Sequence, residues 1–161
     1  LIRLAKETPD DLWEVETLYD LCFAPGRQLL SSYRLRDGVA PVRDLCLVAR
    51  DEGGAIASVI RYWPVRVANL PVLLLGPVAV HPTRQGEGLG ALLIMESLER
   101  ASEMGWARVV LVGDEPYYSR FGFYRLGDVI MPPPTNPDRV LGRELQLGGW
   151  DRVSGPVLKA I

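Results

Sequence analysis

The stretch "VLLLGPVAVHPTRQGEGLGALL", Val72 to Leu93, constrains this chain more than any other. Its first nine residues are continuously apolar rather than alternating. A strand buried on both faces reads that way. Gly76-Pro77 interrupts the run. Proline has no N–H to give to a ladder, so a bulge or local splay is expected there. Three glycines then alternate through "RQGEGLG", and a helical pattern begins directly after them. A buried strand, a glycine loop and a helix are therefore consecutive.

The rest of the chain reads as a mixture of strands and helices. "IRLAKE" is an opening strand. "TPDDLWEVETLYDLCF" is a helix, with Thr8 as N-cap, Pro9 in the first turn, and Asp10 and Asp11 at the positive end. Leu12, Val15, Tyr19 and Cys22 form its apolar stripe, and Pro25-Gly26 is expected to end it. A second short helix is expected within Gln28 to Leu35. Asp44 to Arg50, the turn "DEGGA", and Ala55 to Val67 read as a hairpin. Gly88 to Met104 is the strongest helix. Leu93, Ile94, Leu98, Ala101 and Met104 share one side, Glu96, Glu99, Arg100 and Glu103 the other, and Gly105 stops it. Ala107 to Val112 is a buried strand and Asp114 to Gly122 a short helix capped by Asp114. "FYRLG" starts a strand, "MPPPTNP" is a loop, and Arg143 to Leu147 is the last strand. With no repeat and no linker, residues 1–161 read as one α+β domain.

Bulk properties exclude several classes. A formal net charge of -2 argues against broad nucleic-acid binding, which wants a basic face. No apolar run approaches the roughly 18 residues that span a bilayer, and the first residues lack the apolar core of a secretory signal. Cys22 and Cys46 lie in apolar patterns and read as buried free thiols in a reducing cytoplasm. Neither has the basic or helix-start setting of a nucleophile. One histidine and two distant cysteines make no metal cluster.

The glycine loop is the chemical signal. A triphosphate loop needs G-x-x-x-x-G-K-S/T, and here Ala91-Leu92-Leu93 follow Gly90. Gly86 to Ala91 does match the dinucleotide pattern G-x-G-x-x-G/A. In that fold the first glycine leaves the strand directly, whereas "HPTRQ" intervenes here. Half the chain also precedes the loop, in a mostly antiparallel pattern. A loop that holds a pyrophosphate without cleaving it needs neither lysine nor metal. Backbone N–H groups and the positive start of a helix suffice.

"RQGEGLG" resembles the acyl-CoA loop of the GNAT superfamily of N-acetyltransferases, with Gln85, Gly88 and Gly90 in the pattern Gln/Arg-x-x-Gly-x-Gly/Ala. Together with "LGPVAVHPT" before it and "VLVGDEPYYSRFGF" after it, the stretch is similar to the YhbS-like subgroup of predicted N-acetyltransferases. The resemblance implies the GNAT acyl-CoA N-acyltransferase fold, an α+β arrangement whose mixed, mostly antiparallel sheet is splayed at its centre and flanked by helices. It implies acetyl-CoA as cosubstrate, entering a gap between Val72–Val80 and Ala107–Val112. Backbone groups of Val78, Ala79 and Val80 would meet the pantetheine. Gln85, Gly86, Glu87, Gly88, Leu89 and Gly90 would meet the pyrophosphate, and Arg84 would add a charge.

The implied reaction is direct attack by a primary amine of a small-molecule or peptide acceptor. Tyr118, four residues before Gly122, would assist the leaving thiolate as acid or as sulfur contact. Tyr117 points about 100° away on a helix. No base is evident: His81, ahead of a proline, reads equally as a loop contact. Asp114 stands where many relatives carry asparagine. The acceptor wall is expected from Phe23 to Gly38, Trp63-Pro64 and "MPPPTNP". Relatives commonly dimerise, so a homodimer is allowed. A CoA-binding regulatory module without turnover is the alternative, motivated by the missing base.

Overall fold

A computed structural model describes residues 1–23, 27 and 30–161. Its first half contains β1 (Arg3–Lys6), α1 (Leu12–Cys22), α2 (Ser31–Arg34), β2 (Leu47–Arg50), β3 (Ile56–Val67) and β4 (Leu70–Val80). The second half contains α3 (Leu89–Glu103), β5 (Arg108–Val112), α4 (Glu115–Tyr118), β6 (Tyr124–Arg125), β7 (Val129–Ile130), β8 (Val140–Glu144), β9 (Gly155–Pro156) and β10 (Leu158–Lys159). Among these residues the main sheet runs β1-β2-β3-β4-β5-β8-β6, and β10 pairs with β3 beyond the end of β2. β7 and β9 form a separate parallel pair. No helix among the described residues is long and apolar enough to cross a membrane.

The pairing of β4 positions everything that follows. On one side it stays with β3 along its whole length. The register shifts once: Ile60 faces Val78 and Tyr62 faces Leu75, so Gly76 and Pro77 together oppose Arg61. The interruption expected at Gly76-Pro77 is thus a bulge. On the other side β4 meets β5 in parallel only at Leu73↔Val109 and Leu74↔Val110. Past that point the two strands part, and β5 continues with β8 instead.

Two layers cover the sheet. α3 buries Leu93, Ile94, Leu98 and Ala101 against Ile60, Tyr62, Leu73, Val109 and Leu111. α1 buries Val15, Leu18 and Tyr19 against Val48, Val59 and Ala79 on the opposite face. Further along that face, Leu35, Leu126, Met131, Trp150 and Val157 close over Trp63, Val65, Val72 and Val110. Between these two apolar clusters lies a charged layer. Arg61 is 6% exposed. Its Nε and Nη2 donate to both oxygens of Glu7 at 3.0 and 2.7 Å, and its Nη1 donates to Glu16 at 2.7 Å. Arg27 reaches the other Glu16 oxygen at 2.8 Å, Asp20 at 3.0 Å and the Tyr33 hydroxyl at 2.7 Å.

Several boundaries differ from the sequence reading, each for a local reason. The first helix opens with a 3-10 turn, Pro9–Asp11, because the N–H and hydroxyl of Thr8 both bind the Asp11 carboxylate. Leu12 is exposed, and Leu18 takes its place in the buried stripe. α1 ends at Cys22; the expected terminator Pro25-Gly26 lies outside the described residues, as do Gln28 and Leu29 of the second helix. Met104 is exposed and Ser97 is buried, its hydroxyl 2.7 Å from that of Tyr62. The strand placed at Arg143 to Leu147 is Val140–Glu144. Pairing with β5 fixes that register, Val112 opposite Val140 and Arg108 opposite Glu144, and Leu147 is left wholly exposed. It is not the last strand, since β9 and β10 follow.

Candidate active site

Where β4 and β5 part, a wedge opens between them. It holds an inner cavity of about 300 Å3 and an outer one of about 570 Å3. Phe23, Val78 and Tyr118 line both, so the two are continuous. α1 holds the β4 rim from above: the Tyr19 hydroxyl donates to the Pro77 carbonyl at 2.9 Å, and the Cys22 thiol to the Val80 carbonyl at 3.2 Å.

The outer end is the glycine loop. Gly86 and Gly88 have φ of +86° and +79°, backbone that side chains other than glycine seldom adopt. Gly88 is the N-cap of α3, so the first N–H groups of that helix have no intrahelical partner. Gly90 brings the helix close to the strand: a Cβ there would lie 3.3 Å from a methyl of Val80. The start of a 15-residue helix and a run of backbone donors make an anion seat.

The inner end closes on Tyr118. Asp114 caps α4 by accepting the Tyr117 N–H at 3.3 Å, and Gly122, at φ +86°, turns the chain out again. The ring of Tyr118 packs edge-on against Tyr117 and Phe123, with centroids 5.0 and 5.8 Å away. It also lies over the bare backbone of Gly113, where an added Cβ would come within 2.5 Å of the ring. Burial, reinforced by the neighbouring Tyr117, pushes the phenol up to about 12.

A parallel strand pair that splays into a wedge, with a glycine loop and helix start at one end, is the expected frame, and the sequence supplies the decision. The sequence model of the Acetyltransferase (GNAT) family matches residues 12–127. This chain belongs to the GNAT acetyltransferase family. Known GNAT proteins resemble it closely in sequence and in shape. It is 40% identical to the uncharacterized N-acetyltransferase YhbS of Escherichia coli K12 over 126 residues, 76% of this chain and 72% of that one. The crystal structure of E. coli YhbS in complex with CoA superposes with a TM-score of 0.83 at 30% identity, covering 99% of this chain and 88% of that one. A GNAT acetyltransferase from Brucella melitensis in complex with acetyl-CoA gives 0.68 at 32%, covering 88% and 94%.

Within this GNAT wedge, Val78, Ala79, Val80, Gln85, Gly86, Gly88, Leu89 and Gly90 all line the outer cavity. Arg84 and Glu87 do not. Arg84 donates twice to Glu87, at 2.8 and 2.9 Å, and lies 3.5 Å from Asp51. That guanidinium is committed to carboxylates on the rim rather than turned into the loop. Arg120, which the sequence reading passed over, lines the outer cavity and stacks on the Tyr117 ring at 4.5 Å. Its spacing of three from Tyr117 on a helical turn was the available signal. His81 caps the turn Pro82–Arg84: its Nδ1 accepts the Thr83 N–H at 3.2 Å and bonds the hydroxyl at 2.8 Å.

The acceptor wall expected from sequence is only partly recovered. Phe23, Leu30, Ser32 and Tyr33 line the inner cavity. Trp63 belongs to a separate cavity of about 390 Å3 with Glu7, Cys46 and Arg61. No residue of "MPPPTNP" lines the inner cavity; Arg139, just after it, does. No group of three or more His, Cys, Asp or Glu side chains able to hold a metal occurs among the described residues.

Proposed function

We propose that this GNAT chain, folded as one domain, transfers the acetyl group of acetyl-CoA directly to a primary amine. The observation that carries this reading is the continuous wedge from the glycine loop to Tyr118. The residues present suit that cosubstrate. Glycines 86 and 88 take positive φ, the start of α3 offers unpaired N–H groups, and among the described residues no strand pairs with the β5-facing edge of β4 beyond Leu74. Bound there, acetyl-CoA supplies an acyl group already activated as a thioester. The loop and helix start would hold its pyrophosphate, with Arg120 at the mouth, and the β4 edge at Val78 to Val80 would hold the pantetheine.

The chain's own contribution is orientation, exclusion of water and hydrogen-bond donors. A backbone N–H on the splayed edge is a fixed donor for charge that develops on the acyl oxygen. Tyr118 would be the hydroxyl that meets the departing sulfur. A phenol near 12 stays protonated beside a thiol of ordinary value, about 8.5. It therefore stabilises the thiolate by donating a hydrogen bond, and keeps its proton. The incoming amine loses its own proton to solvent or to a carboxylate at the mouth.

The test combines calorimetric titration with CoA and a thiol-release assay over a panel of amines. Saturable CoA binding and amine-dependent thiol release are expected. Binding without release for any amine, even at alkaline pH, would replace this reading with a binding module. Gly113→Ala gives a second check. The added methyl displaces the Tyr118 ring by an ångström or more, and such a misplacement lowers turnover by about 100-fold while CoA still binds.

A further inference from the structure

The inner cavity is lined by two opposite charges that form no ion pair among the described residues. Arg139 and Asp114 both line it. No carboxylate among the described residues comes within 4.0 Å of the Arg139 guanidinium, and its neighbour Asp138 is taken by Arg125 at 3.2 Å. Asp114 spends one oxygen on the α4 cap and leaves the other without a described partner. The two sit on adjoining backbone, because the Gly113 N–H donates to the Arg139 carbonyl at 2.9 Å. Arg139 ends the turn Pro137–Arg139, just before Val140 pairs with Val112 in β5, so its Cα is fixed by the sheet. Both charges act on Tyr118, Arg139 favouring its ionised form and Asp114 opposing it. The remaining wall is apolar or neutral: Phe23, Leu30, Tyr33 and Ser32.

An unpaired guanidinium beside apolar walls is a seat for an anion. It is not placed for the cosubstrate's phosphates, since it lines the inner cavity and the glycine loop lines the outer one. The Asp114 oxygen left free on the same cavity suits an ammonium. A cavity of about 300 Å3 that must also admit the thioester end leaves room for a compact acceptor. Resting on the acetyl-transfer reading above, we propose that the acceptor is a compact zwitterion of the α-amino-acid type. Arg139 receives its carboxylate, and Asp114 faces its amine. Acetylation forms the N-acyl bond, breaks the thioester, and leaves the amine proton to solvent; the product is an anion that Asp114 no longer attracts.

The experiment compares the twenty common amino acids as free acids and as α-amides, by thiol release at several pH values so that amine ionisation is accounted for. Calorimetric titration of the same acids into the CoA-loaded protein runs in parallel. At least one acid should exceed its amide in kcat/KM by tenfold or more, the size of a lost charge-assisted hydrogen bond. Arg139→Gln should bring that ratio close to one, and Arg139→Lys should keep part of it. Amides that match or exceed their acids in every productive pair overturn the proposal, as does an Arg139→Gln protein with its preference intact. Acids that bind in an Arg139-dependent way but are never acetylated uphold the subsite and sink acetyl transfer. Acetylation of other amines with no acid bound does the reverse.

Discussion

Tyr118→Phe lowers kcat by about 100- to 1,000-fold, the usual loss when one preorganised donor is removed, and leaves CoA affinity roughly unchanged. Phenylalanine keeps every ring contact, with Tyr117, Phe123 and the backbone of Gly113, so the fold stays intact. Only the donor is lost. The pH profile checks that the phenol keeps its proton through the working range. Turnover in the parent protein rises as the acceptor amine loses its proton, and Tyr118 causes no fall until pH nears 12. Stability sets the alkaline limit instead. The folded phenol lies above its ordinary value of 10.0, so its contribution is complete below pH 10 and lost between there and about 12. Tyr62, also raised by burial, acts in the same direction. Melting curves and rates across pH 7 to about 11 should therefore show melting, rather than an inactive folded state, at the alkaline end.

The largest stability effect is expected at Arg61. Arg61→Met leaves the partly buried Glu7 without its bidentate partner, and removing one member of a buried pair costs about 3–5 kcal/mol, with about 3 expected here. For a domain of this size the melting temperature then drops by roughly 10 °C. Adding Glu7→Leu should restore much of the loss, because an apolar replacement of both partners avoids the stranded charge. Acid reveals the same layer. Burial alone would raise Glu16, but hydrogen bonds from Arg27 and Arg61 outweigh it and hold the carboxyl below its ordinary 4.5. That stabilisation is present above about 4.5 and is lost as pH falls through the lower folded value. The deficit of Arg61→Met relative to the parent, measured by chemical denaturation, should shrink below that point.

How much of this was legible depended on contiguity. Most of the outer cavity's wall comes from β4, its loop and the first turn of α3, within residues 78–91, with Cys22, Phe23, Tyr117, Tyr118 and Arg120 added from elsewhere. Glycine spacing and the apolar run were enough to find it. The inner cavity draws on Phe23, Leu30 to Tyr33, Gly76 to Val78, Gly113 to Tyr118 and Arg139. Those segments meet only because β5 leaves β4 and takes β8 as its partner. An exposed arginine after a proline-rich loop carries no sign of that in its neighbours. Arg61 was hidden differently. It lies inside a run of β-forming residues, and only the approach of Glu7 and Glu16 explains how a cation can be buried there. The strand misplaced at Arg143 to Leu147 shows the limit of alternation, since register with Arg108 to Val112 decides which residues pair.

Cys22 has a chemical consequence of its own. It lines the outer cavity, and burial raises its thiol, with the hydrogen bond to the Val80 carbonyl only partly countering the effect. Held as a neutral donor, the sulfur is part of the wall rather than a reactive group within it. The contact that ties α1 to β4 thus joins the helix to the strand edge without placing a charge in the cavity.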